Sequence, residues 1–249
     1  MESKKVTKKF LNNYVHHSSE GFESVRFFND EFFLKIINQK ILSNGRRDIL
    51  PRLEELEHKN VVTPEFLLTD RTGLIGYGAK NYMDYSFIDS IFVDKSITLE
   101  DRKKLMIRLA NIIEFLKSKD FAYYDIHSGN ILYKDSDIKL LDIDGGVFKG
   151  YSNNGTSYDG AYRFSNWKLA IYTISFIYKM DFYDFYRLFL NEKVSYDSFI
   201  RTIPDELKKF YEHAIKKDFS ILENIPELID RIDQATFEES NEVLKLRFK

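Results

Sequence analysis

The chain changes character after Tyr85, and that change constrains its fold more than any other feature. Before it, Val25 to Ile37 is rich in Phe, Val and Ile and is broken once, at Asn29-Asp30, the pattern of a hairpin with a polar turn. Val61 to Leu68 and Gly73 to Tyr85 read as further strands, and one helix is expected between them, over Asp48 to His58. Leu50, Leu53 and Leu56 recur there near helical spacing, and Pro51 is tolerable only in a first turn. After Tyr85 the long segments are helical. Leu105, Leu109, Ile112, Ile113 and Leu116 form an apolar stripe over Leu99 to Lys117. Trp167 to Met180, Asp181 to Leu190, Asp205 to Lys217 and Ile225 to Ala235 read as helices too. Strands first and helices later predict an α+β fold rather than a doubly wound sheet.

Composition excludes several classes. Lys plus Arg is 37 against 39 Asp plus Glu, so bulk electrostatic binding to nucleic acid is not expected. With no cysteine there is no disulfide framework, thiolate metal site or catalytic thiol, which fits a reducing, cytoplasmic setting. The most apolar run, Trp167 to Tyr178, is 12 residues long and contains Lys168, too short to span a membrane. The histidines show no metal-ligand spacing beyond the adjacent pair His16-His17, and no Gly-x-Ser-x-Gly elbow is present.

The chemistry concentrates between Tyr123 and Gly145. Asp125 and Asn130 stand five apart in Asp125-Ile126-His127-Ser128-Gly129-Asn130, followed by two short apolar segments, Ile131 to Tyr133 and Ile138 to Leu141. If these return antiparallel, Asp142 is delivered beside Asn130. Phosphoryl transfer needs a carboxylate to orient the attacking hydroxyl and hard oxygen ligands to hold magnesium against the phosphates. This constellation can supply both.

On these residues the sequence resembles the protein-kinase superfamily. Asp125-x-x-x-x-Asn130 matches that family's catalytic loop, and Asp142-Ile143-Asp144-Gly145 falls at its magnesium-binding segment. The Asp-Ile-His-Ser-Gly-Asn-Ile-Leu form is also close to aminoglycoside and choline kinase-like phosphotransferases. The resemblance implies a two-lobed fold, with an N-lobe over residues 1–83 and a C-lobe over 84–249, that uses ATP and Mg2+. It implies Asp125 as the catalytic carboxylate, Asn130 and Asp142 as magnesium ligands, and Lys35, within Phe32-Phe33-Leu34-Lys35-Ile36-Ile37, on the α- and β-phosphates. Glu54, 19 residues after Lys35, is the implied partner of that lysine, with Asp48 and Glu55 as rivals. Tyr82-Met83-Asp84-Tyr85-Ser86 resembles the hinge between lobes. There, backbone groups around Asp84 and Ser86 would take the adenine edge, and Met83 would sit at the back of the pocket. Gly21 and Val25 fall in the phosphate-covering segment.

The departures are specific. Ser18 to Val25 keeps only Gly21 of a glycine-rich loop, and Glu20 and Glu23 there could repel phosphate. Tyr123-Tyr124 replaces the usual His-Arg, so activation is expected not to need loop phosphorylation. His127 either stabilises the transferring phosphoryl group or packs. Asp144 is either a second metal ligand or an exposed turn residue. The expected acceptor is a protein serine or threonine hydroxyl. A small-molecule hydroxyl is the alternative, and a partner-binding pseudokinase is a third reading.

Overall fold

The computed structural model describes residues 1–17, 23–42, 44–94, 96–153, 155–177 and 225–235. The expected helices at Asp181–Leu190 and Asp205–Lys217 lie outside the described residues, as does Gly21.

Six strands form one sheet in the order β1-β5-β6-β4-β3-β2. They are β1 (Glu2–Lys5), β2 (Val15–His17), β3 (Ser24–Phe28), β4 (Phe32–Ile37), β5 (Pro64–Asp70) and β6 (Gly73–Lys80). All neighbours are antiparallel except β1 with β5. The β3–β4 hairpin turns where the sequence placed it: the Asn29 side chain accepts from the backbone N–H groups of Glu31 and Phe32. One face of the sheet packs Leu34, Phe66 and Leu68 beneath Phe10 and Leu11 of the short helix α1 (Lys8–Leu11). Gly76 of β6 passes so close to the Lys35 carbonyl of β4 that a side chain there would collide with it.

The expected helix at Asp48–His58 forms differently. An α-helix, α2 (Asn44–Ile49), starts earlier, and a 3-10 segment, Leu50–Leu56, follows it. Pro51 is the physical reason, because it has no N–H to donate to the preceding turn and its ring crowds that turn's carbonyl. A 3-10 helix has three residues per turn, so Leu50, Leu53 and Leu56 stack on one line, all fully buried.

Beyond β6 lie the two-residue strand β7 (Ser86–Phe87) and α3 (Leu99–Ser118). Thr98 and Asp101 cap α3 reciprocally, and its expected stripe is buried throughout. The strand β8 (Phe121–Ala122) precedes the hairpin β9 (Ile131–Lys134) and β10 (Asp137–Leu140), whose register pairs Ile131 with Leu140. Short ladders follow: β11 (Val147–Phe148) on β8, and β12 (Ser152–Asn153) on β13 (Thr156–Ser157). The helix α4 (Tyr158–Ile177) begins well before Trp167, its start held by the Ser157 hydroxyl accepting from Gly160 N–H. The helix α5 (Ile225–Gln234) packs on α3.

The architecture is α+β, strand-rich sheet first and helices after. One apolar core joins the parts, running from Ile37, Tyr77 and the three leucines to Leu109, Ile131, Trp167 and Ile232. A backbone seam reinforces it, with Leu140 N–H donating to Asn60 O and Val62 N–H to Leu140 O. Among the described residues no helix is long and apolar enough to cross a membrane.

Candidate active site

Successive side chains of a strand point to opposite faces, so the register of β3, β4 and β6 decides what enters the space beneath the sheet. Arg26 pairs with Lys35, and Lys35 with Tyr77, placing three polar groups in one row across the sheet. The other side of this space is the segment after β10. Lys35, only 4% exposed, lies 2.8 Å from Asp144 Oδ1 and 3.3 Å from Asp142 Oδ1. Tyr77 donates to Asp144 Oδ1 at 2.9 Å. Arg46 of α2 donates to Asp144 Oδ2 from Nε at 3.1 Å and also from Nη2. Arg26 Nη2 reaches Asp142 Oδ2 at 3.0 Å.

This corrects two expectations. The partner of Lys35 is not Glu54, which is 51% exposed at its side chain and bonds the Met1 amino group at 3.0 Å. Its rivals also point away: Glu55 pairs with Arg52 at 2.8 Å, and Asp48 is exposed. The cause is the 3-10 winding, which turns the leucines inward and carries the intervening acids outward. Asp144 takes the place beside Lys35 and is no exposed turn residue, being fully buried. Burial works against its ionisation, yet Lys35 and Arg46 outweigh that and hold the carboxyl well below the usual range. Three side chains occupy both its oxygens, so Asp144 is the counter-ion of two buried cations.

Asp142 is different. It is only partly buried, and its backbone adopts the left-handed conformation, φ 52° and ψ 37°. A non-glycine residue holds that conformation at a cost of about 1–2 kcal/mol, and such costs concentrate at functional positions.

The catalytic-loop residues form a second cluster. Asp125 is 48% exposed at its side chain and carries partners on both oxygens. Asn130 Nδ2 lies 3.0 Å from Oδ2 and 3.0 Å from the Asp125 carbonyl. His127 accepts from Gly129 N–H at Nδ1, which leaves Nε2 as the protonated nitrogen, 3.6 Å from Asp125 Oδ2. Lys168 of α4 stands 3.5 Å from Oδ1. Burial opposes the ionisation of Asp125, but His127, Lys168 and Asn130 together bring its pKa down to about 2. Burial also pushes the Lys168 ammonium down, with Asp125 opposing. The buried Tyr123 hydroxyl lies 2.8 Å from the Asp125 carbonyl and 3.2 Å from that of Leu141, joining the loop to the segment that carries Asp142.

Two cavities meet here. A polar one of about 540 Å³ is lined by Ser24, Lys35, Arg46, Asp125 and Gly145, among others. An apolar one of about 400 Å³ is lined by Phe33, Val62, Ala79, Tyr82, Leu132 and Leu141, among others. Arg26 and Asp142 belong to the walls of both.

The hinge residues are placed unevenly. Met83 lines the apolar cavity but is 61% exposed, so it sits at the mouth and not the back. Asp84 pairs with Lys134 at 2.5 Å, and Ser86 opens β7, opposite Tyr133 of β9. Val25 is 44% exposed on the face of β3 away from the cavities, since Ser24, Arg26 and Phe28 hold the inner face. Among the described residues no three His, Cys, Asp or Glu side chains converge on a metal position. The hard oxygens of Asp142 and Asn130 suit magnesium, which keeps several waters and needs few protein ligands.

Arg26, Arg46, Tyr77 and Lys168 escaped the sequence reading. Lys168 alone carried a signal, as the one charge in the most apolar run.

No family model matches the chain. It is similar to a protein of fowlpox virus (strain NVSL) described as a probable serine/threonine-protein kinase, with 43% identity over 53 residues. The matched stretch is 21% of this chain and spans 18% of that protein's length. The likeness is thus to a kinase and is local.

Proposed function

We propose that the chain is an ATP- and magnesium-dependent phosphotransferase that moves the γ-phosphoryl group to a hydroxyl, with serine or threonine of a protein as acceptor. One observation carries the reading. An apolar cavity sized for a nucleoside base opens into a polar cavity whose walls bear Lys35, Asp142 and Asp125. Residues 1–83 and 84–249 are read as the two lobes flanking that space.

In this reading the adenine lies among Val62, Ala79, Leu132 and Leu141, beside the backbone at Asp84 to Ser86. Lys35, oriented by Asp144 and Arg46, steadies the α- and β-phosphates. Asn130 and Asp142 would hold the magnesium, which would supply neutralisation of the charge that develops on the phosphates. Asp125 accepts the hydrogen bond of the acceptor hydroxyl and aims its oxygen at the γ-phosphorus. As the new oxygen–phosphorus bond forms, the bond to the bridging oxygen of ADP breaks, and the hydroxyl proton passes to Asp125. A carboxylate with a pKa near 2 is a weak base. Its main contribution is therefore orientation, with proton transfer late, as suits a loose transition state. Lys168 and His127 flank the same point and can carry phosphoryl charge.

The test is ATP turnover with magnesium, using the purified chain alone and with a generic protein acceptor, beside Asp125→Asn. Phosphate on the chain or acceptor, lost in the variant, supports the protein-kinase reading. Transfer only to added small-molecule alcohols would move the acceptor class. Nucleotide binding without any transfer would support a pseudokinase.

A further inference from the structure

We propose that Arg26 is a phosphate-binding residue of the cleft, and that its ion pair with Asp142 is a latch which the nucleotide's phosphates displace. The inference rests on the nucleotide reading above and assigns to β3 a ligand that the sequence motifs do not.

Four observations carry it. First, strand alternation turns Arg26 inward, opposite Lys35. Like charges facing each other across a ladder are unfavourable, and here Asp142, at 3.0 Å from Arg26 and 3.3 Å from Lys35, bridges them, while Asp144 at 2.8 Å holds Lys35 from the other side. Arg26, Lys35 and Arg46 thus share two carboxylates, which leaves room for a further anion. Second, the guanidinium is underused. Nη2 serves Asp142, while Nε is buried with no hydrogen-bond partner among the described residues. A planar donor fork with unmet capacity suits a phosphate, which offers several oxygens at once. Third, Arg26 and Asp142 line both the apolar and the polar cavity. A ligand with its base in one and its reacting phosphate in the other must pass its inner phosphates between them. Fourth, Ser18 to Val25 holds a single glycine and two glutamates, so backbone N–H groups alone are a poor phosphate cover there. A side-chain cation two residues before Phe28 supplies the missing charge from a rigid strand.

The latch follows from the shared carboxylate. While Asp142 neutralises Arg26 and Lys35, its oxygens are turned to cations. Phosphate oxygens that take over Arg26 free one carboxylate oxygen toward the cavity, so nucleotide entry prepares the cation ligand.

The experiment measures binding of adenosine and of magnesium-free ADP to the full chain, as wild type, Arg26→Gln, Arg26→Lys and Val25→Ala. Arg26→Gln is expected to weaken ADP roughly tenfold or more, the size of a charge-assisted hydrogen bond, and to leave adenosine unchanged. Arg26→Lys recovers part of the loss, and Val25→Ala, on the opposite face, changes neither ligand. ADP affinity within twofold of wild type in Arg26→Gln overturns the proposal and leaves the nucleotide reading standing. Equal loss of adenosine and ADP assigns Arg26 a structural role and overturns it too. A wild-type chain that binds neither ligand removes the nucleotide reading itself.

Discussion

Asp144 and Asp125 are both carboxylates held strongly ionised by cations, yet they sit in opposite settings. Asp144 is sealed, with Lys35, Arg46 and Tyr77 closing over both oxygens. Asp125 is braced by Asn130, His127 and Lys168 at 3.0, 3.6 and 3.5 Å, but half of its side chain remains open to the cavity. Equal ionisation therefore does not mean equal availability. The sealed carboxylate locks a lysine to a helix, whereas the open one can still accept a proton or a hydroxyl.

The comparison breaks most visibly at the sealed end. Asp144→Ala removes the buried carboxylate that Lys35 and Arg46 share, and a loss of about 3–5 kcal/mol in folding stability is expected from urea unfolding. A loss below 1 kcal/mol would mean that Lys35 and Arg46 find other partners and the seal is not structural. At the open end, Asp125→Asn should cost less stability than Asp144→Ala, while turnover falls roughly 10²- to 10⁴-fold with ADP binding retained. Near-normal turnover would remove Asp125 from the chemistry.

Lys168→Met sharpens the same contrast, because the methionine keeps the apolar stem and removes the charge. Turnover is expected to fall roughly tenfold, mainly in kcat, with ADP affinity unchanged. A drop in stability without a kcat effect would place Lys168 with the sealed group.

Titration separates the partners of Asp125. A carboxyl with a folded pKa of about 2, below its ordinary value of about 3.9, contributes stability above the ordinary value and loses it as pH falls through about 2. Its NMR midpoint should lie near 2 and rise in His127→Gln; a midpoint near 4 in the parent would dissolve the bracing argument. The smallest effect is expected in the segment after Gly145. Replacing Ser152, Thr156 and Ser157 together by alanine should leave turnover within tenfold. Its main anchor to the site is Asn153, whose Nδ2 donates to Asp144 O at 3.2 Å and Gly146 O at 3.1 Å.

Several readings that depended on neighbours in the chain carried over to the structure. The Asn29 turn, the stripe on Leu99–Ser118 and the β9–β10 hairpin rest on turn chemistry and periodicity within about 20 residues. The spacing of Asp125 from Asn130 likewise places the two side chains in contact. Counting failed where the phase of a segment mattered. Glu54 stood at a fitting distance from Lys35 in the chain, but Pro51 rewound its segment into a 3-10 turn and swung it to the surface. Val25 and Arg26 are neighbours, and only the register with β4 shows which of them looks inward.

The linear order of residues thus settled the α+β arrangement and the loop that brings Asp125 to Asn130, because those follow from local periodicity and short-range hydrogen bonding. Tertiary packing alone settled which cation meets which carboxylate. Lys35 finds Asp144 at a separation of 109 residues, and Arg26 finds Asp142 at 116. Buried charges take whatever counter-ion the folded core brings within reach, and no spacing rule along the chain encodes that choice.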